Sequence, residues 1–343
     1  MLRETGGPMK RNKLLEELST GGVSRRQFLR QLSMVVGGLA TAPGLVQAAQ
    51  ALVMGKNGRA LVDELTSPSN GLVLGDVGDG YYHIYTNGLP DHATGEFPNP
   101  NCPSPILAQT GSYKITKTPK VASKATALDG WLFGIAVNGV VLDPTGPFYL
   151  GRENTGYQFE VLTKTAMPHL GIDRNMAHTQ PSGEYHYHGM PAPLYQRLEQ
   201  LREARGDRHG MTLLGWAADG FPIYAPFAPS RAQDPGSPLV MMKSSYTLGS
   251  GPRGPGSPGG KREDAGGVFV QDFVFRQGLG DLDECNGRFG ATPEFPDGTY
   301  HYFLTYDFPF IPRFWRGTPD SSFFHPKPGV DAVPPALMTM KFG

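Results

Sequence analysis

Tight-turn signals punctuate this chain so often that little but short strands fits between them. Asn-Gly occurs at Asn70, Asn87 and Asn138, and Asp-Gly at Asp219. These dipeptides supply the positive φ angles that tight hairpin turns need. Between them run apolar pieces such as "LFGIAVNGVVLD" from Leu132, "GWAADGFPIYAPF" from Gly215 and "VFVQDFVF" from Val268. The 46 Gly and 32 Pro approach the content of disordered chains, but 3 Trp, 14 Tyr and 19 Phe argue for a packed core. The expected fold is therefore mainly β, a sandwich or an irregular barrel of short strands with long loops.

One surface helix is predicted near 193–205. There "PAPLYQRLEQLREARGD" sets Leu194, Leu198 and Leu201 on one face and charges on the other. Residues 249–267, "GSGPRGPGSPGGKREDAGG", hold almost nothing to bury and are expected to form a mobile loop within the domain.

The N-terminus reads as an export signal. Ser24-Arg25-Arg26-Gln27-Phe28-Leu29-Arg30 has the twin-arginine pattern, and an apolar run from Leu32 to Val46 follows. That run is shorter than the roughly 20 residues a membrane span requires. Small residues in "VQAAQA" suit cleavage after Ala48 or Ala51. The expected organisation is a twin-arginine signal peptide over 1–51, a linker or edge segment over 52–70, and a single domain over 71–343. The location is periplasmic or secreted, the partner in transit is the twin-arginine translocase, and no stable membrane span remains after cleavage. Residues 1–51 hold seven Lys/Arg and three Asp/Glu, which leaves 24 basic and 28 acidic residues from the 31 of each. A mildly acidic body gives no electrostatic basis for binding nucleic acid. Two cysteines in an exported chain, Cys102 and Cys285, suggest a disulfide.

The chemistry-bearing stretch is "PSGEYHYHGMP". On a strand, Tyr185 and Tyr187 share one face while His186 and His188 share the other. Two imidazoles at i and i+2 are close enough to coordinate one cation. A weak repeat accompanies it: "SGEYHYH" from Ser182, "DGTYHYF" from Asp297 and "DGYYHIY" from Asp79. His301 holds the place of His186 in the second copy, and Phe303 the place of His188. If these strands are neighbours, His301 becomes a third ligand. His178 and His92 are further candidates. Imidazole suits copper and zinc, and copper binds more tightly at a given nitrogen site. Asp219 and Glu284 are weak candidates for an acid or base. No GxSxG, Walker A, GxGxxG or HExxH pattern occurs.

Four long segments carry a resemblance: "NGLPDHATGEFPNPNCP", "NMAHTQPSGEYHYHGMP", "GWAADGFPIYAPF" and "GDLDECNGRFGATPEFPDGTYHYFLTYDFPFIPRFWRG". Together they resemble the YHYH-domain family of exported bacterial proteins, over roughly residues 80–320. Its hallmark positions fall on His92, His178, Tyr185, His186, Tyr187, His188, Asp219, Asp283, Glu284, Cys285, Asn286 and His301. The resemblance implies export and strengthens metal binding, because the histidines belong to the signature. It names no reaction. The expectation is an exported protein with a transition-metal site on His186, His188 and His301. It would be a metalloenzyme or a metal-handling protein. The alternative is a glycan-binding module that stacks sugars on Tyr185, Tyr187, Tyr300, Tyr302 and Trp315.

Overall fold

The computed structural model describes residues 73–324, apart from 77, 129, 150–155, 205–209, 256, 258, 264 and 265, together with Leu337. The predicted signal region 1–51 and linker 52–70 lie outside the described residues. The fold is mainly β. Strands β1 (Val73–Gly75), β2 (Tyr81–Thr86) and β3 (Gly111–Thr116) form an antiparallel three-stranded sheet. It packs on a larger sheet of eight strands, and Leu74, Ile84, Tyr113 and Ile115 join one core with Ile135, Val141 and Ile223. Each such apolar side chain, fully buried, contributes about 1.5–3 kcal/mol. No described sheet closes on itself, so the layers make a sandwich and not a barrel.

The large sheet has an internal twofold. At its centre lie β5 (Gly134–Ala136) and β9 (Leu213–Ala217), antiparallel, with Ile135 opposite Trp216. Outside them come their hairpin partners, β6 (Val141–Leu142) and β10 (Pro222–Tyr224). Next is a parallel strand on each side, β8 (Tyr185–Tyr187) against β6 and β16 (Thr299–Phe303) against β10. The edges are β7 (Ala177–Thr179) beside β8 and β15 (Gly287–Gly290) beside β16, both antiparallel.

The register matches across the two halves. Leu142 pairs with Tyr187 as Ile223 pairs with Tyr302, and His178 pairs with His186 as Arg288 pairs with His301. The central hairpins correspond in sequence as well, "GIAVNG" from Gly134 with "GWAADG" from Gly215. Gly134 and Gly215 permit the close crossing: a Cβ on either would stand 2.3 Å from a backbone oxygen of the other strand. Met176 and Asn286, at φ 55° and 54°, mark the same bend ahead of each edge strand. Two copies of the weak repeat, at Ser182 and Asp297, are thus equivalent strands. The third, at Asp79, belongs to the small sheet, where His83 pairs with Asp79 at 2.9 Å.

Helix α1 spans Ala192–Ala204, within a residue of expectation. It buries Leu194 and Leu198, whereas Leu201 is exposed, so the buried stripe is one residue shorter than expected. Within 249–267, Arg253 is buried and its guanidinium meets both carboxylate oxygens of Asp272 at 2.8 and 2.9 Å. That segment is therefore anchored to the domain through Arg253.

The expected Cys102–Cys285 disulfide does not form, since both thiols are free and buried. Cys102 lies against β7, its Sγ 3.1 Å from Thr179 Oγ1. Cys285 precedes β15, the opposite edge of the sheet, and eight strands' breadth separates the two.

Candidate metal centre

The Tyr-His-Tyr-His run lies where the sequence alternation predicts, on β8 and the residue beyond it. The alternating pleat sends the tyrosines to one face and the histidines to the other. The antiparallel neighbour β7 places His178 directly opposite His186. The three rings meet edge to face, with centroids 4.8 Å apart for His178–His186, 4.9 Å for His178–His188 and 4.7 Å for His186–His188. One nitrogen from each ring lies within 4.8 Å of one from each of the others, so the triad could hold a metal ion.

Two of the rings are oriented by backbone. His178 Nδ1 lies 2.7 Å from Leu170 O, and His186 Nδ1 lies 3.1 Å from Glu184 O. A carbonyl only accepts, so each Nδ1 carries the proton and each Nε2 presents a lone pair. Metal-ligating histidines usually have such a partner behind them. Among the described residues His188 has no hydrogen bond at either ring nitrogen, although it is buried. An unsatisfied buried polar group is costly. Burial, then the adjacent His186, pushes the His178 pKa down to about 3; the same causes push His188 well below the ordinary imidazole range. Both rings are neutral at neutral pH, the state that binds metal.

The other expected ligands are elsewhere. His301 is on β16, with four strands between it and β8. Its Nδ1 lies 3.1 Å from Thr299 O, repeating the His186 arrangement, and its ring packs on Tyr224 and Phe303. The grouping of His186 and His188 with His301 is therefore not formed, because the two halves face each other across the sheet's full central hairpins. His178 takes the third place. His92 sits on the tyrosine face, its Nε2 2.5 Å from the Tyr187 hydroxyl.

The expected acids also belong to the second half or its rim. Asp219 accepts from the Tyr302 hydroxyl and from Gly317 N, and burial raises its pKa to about 6. Glu284 is half-buried, 3.5 Å from Arg316. Neither lies at the histidine triad. The aromatic platform is absent as well: Tyr185, Tyr187, Tyr300, Tyr302 and Trp315 are all buried.

Two groups escaped the sequence reading. Asp173 accepts from the Tyr185 hydroxyl at 2.8 Å and fixes the tyrosine face. Asp143, fully buried, brings its Oδ2 to 4.0 Å from His186 Nε2. Its signal was available: "LFGIAVNGVVLD" is an apolar strand pair that ends on a carboxylate.

Fold and site thus define a mainly β protein with a largely buried three-histidine cluster at one edge of a pseudo-twofold sheet. A family model described as YHYH protein matches residues 112–317 of the chain. That is well over half its length, and the chain belongs to this family. No curated protein and no solved structure matches it.

Proposed function

We propose that this protein holds a transition-metal ion at His178, His186 and His188 after export by the twin-arginine route to the periplasm or beyond. The observation that carries the reading is the convergence of three imidazoles, two buried and His178 half-buried, with neither nitrogen of His188 hydrogen-bonded among the described residues. An ion would engage a nitrogen of His188 that nothing else among the described residues engages. Three imidazoles suit copper first and zinc second, since copper is the tighter binder at nitrogen sites.

Holding the ion is favoured over turning over a substrate. His186 and His188 are 1% and 2% exposed, so approach is restricted to the side of His178. The two acids considered for catalysis, Asp219 and Glu284, stand away from the cluster.

Elemental analysis of protein exported by its native host tests this. About one copper or zinc ion per chain is expected, retained by His301→Ala and lost by His186→Ala and His188→Ala. Metal-free protein that also fails to take up added Cu2+ or Zn2+ would overturn the reading. Lys at positions 25 and 26 should hold the precursor in the cytoplasm; unimpaired export of that variant would remove the proposed route.

A further inference from the structure

We infer that Arg288 and His301 form a second site, which binds a small oxyanion that still carries a proton, of the bicarbonate or hydrogen phosphate kind. The inference is independent of the metal reading of the histidine triad.

His301 and Arg288 pair directly across β16 and β15. Side chains so paired lie on one face of a sheet, with Cβ atoms about 4.5–5.5 Å apart. In the other half, His186 and His178 hold the same two places. One edge of the sheet thus carries paired imidazoles and the opposite edge an imidazole with a guanidinium. Lone pairs at the first edge suit a cation. A fixed positive charge at the second suits an anion.

That charge lacks a counter-ion. The buried Arg253 and Arg313 each hold a carboxylate, Asp272 and Glu160. Half-buried Arg288 forms no ion pair among the described residues: its Nη2 donates to Pro229 O at 2.8 Å, and its buried Nε has no hydrogen bond. Burial lowers its pKa, and the Asp281 carboxylate, which accepts from Lys243 N, offsets this only in part. A guanidinium taken from water without an anion is costly.

His301 supplies the complementary group. Its Nδ1 donates to Thr299 O at 3.1 Å, so Nε2 bears a lone pair, and that atom is also buried with no hydrogen bond among the described residues. Burial, and to a smaller extent the Arg288 charge, holds the ring's pKa down to about 4, which keeps it neutral at neutral pH. An unmet acceptor beside an unmet cationic donor fits a ligand with an anionic oxygen for Arg288 and an O–H for His301. Bicarbonate and hydrogen phosphate offer both, whereas sulfate has no proton to give. A further donor stands in the same cross-strand row. Pro222 is level with His301 and pairs with Trp216, whose buried indole N–H has no partner among the described residues. Because β15 is an edge strand, a small ion has a path to Arg288 from the rim of the sheet.

Isothermal titration of the purified protein with bicarbonate, phosphate and sulfate tests this, before and after a chelator has stripped the triad. Bicarbonate, phosphate or both should bind in either state. Sulfate should bind at least about a hundredfold more weakly, because a site built around a ligand hydrogen bond rejects the analogue that lacks it by larger factors still. Arg288→Gln should abolish the binding. The sulfate comparison needs no variant, so it remains decisive if that substitution unfolds the sheet. Failure of both bicarbonate and phosphate to bind would overturn the inference, leaving ordered water as the partner of these atoms. Sulfate bound as tightly as phosphate would overturn the role of His301. Binding that disappears on chelation would put the anion at the triad and overturn the second site. None of these outcomes removes the metal reading.

Discussion

The two Tyr-His-Tyr strands occupy equivalent places in one sheet, and the chain furnishes them for different ends. Both begin after a glycine in the left-handed region, Gly183 at φ 85° and Gly298 at φ 97°. Both anchor the first tyrosine hydroxyl on an aspartate, Asp173 or Asp283. Both anchor the second on the residue before the hairpin glycine, Asn138 or Asp219. Both hold the histidine Nδ1 against the carbonyl two residues back at 3.1 Å.

On the histidine face the resemblance ends. His178 is replaced by Arg288, His188 by Phe303 and Asp143 by Tyr224. The Arg288 guanidinium lies 5.6 Å from the Phe303 ring centroid, a cation–π contact where the other half sets two imidazoles edge to face. The same backbone therefore packs without the histidine cluster. Its imidazoles are not a requirement of the fold, which is the argument for a chemical role. The second half carries its own cation and has no need of another.

Exchanging the furnishings should have the largest effect. The double variant His178→Arg, His188→Phe copies the second half into the first. It should fold and lose transition-metal affinity by more than about a thousandfold, since outer groups alone contribute 10–100-fold. Isothermal titration with Zn2+ measures this, and near-normal affinity would mean the triad is packing only.

A smaller effect separates the halves by pH. Burial holds the His301 pKa down to about 4, while in the unfolded chain it titrates near 6.5. The unfolded state therefore takes the proton first as pH falls. The stability tied to neutral His301 is complete above about pH 6.5 and is lost progressively towards pH 4, by roughly 3 kcal/mol. Buried Asp219 and Glu184, raised to about 6 and about 7, run in the opposite sense. The measurement is accordingly the difference between wild type and His301→Asn in urea unfolding across that window. A constant difference would remove His301 as an acid-sensitive group.

The smallest expected effect concerns the tyrosine face. Tyr187→Phe deletes a hydroxyl that accepts from Asn138 at 2.9 Å and meets His92 at 2.5 Å. Stability should fall by about 1–3 kcal/mol. Metal affinity should not change, because that hydroxyl points away from the histidines. A loss of metal in this variant would show that the two faces of β8 are coupled.

What local chemistry decides was legible in the chain. Turn dipeptides, alternation and a 3.6-residue stripe give a mainly β fold with a helix at Ala192–Ala204, and Tyr185–His188 identifies the family and the paired imidazoles. These signals act between residues a few positions apart, so they survive without tertiary context. The identity of the third histidine depends on which strand pairs with β8. The sequence likeness of the two Tyr-His-Tyr runs pointed to His301, but duplicated strands became opposite flanks of one sheet instead of neighbours. The edge strand β7 supplied His178. The same separation keeps Cys102 from Cys285, and the parallel register of β6 brings Asp143 to His186. Sheet order and register are set by packing among strands distant along the chain, and only the folded sheet decides them.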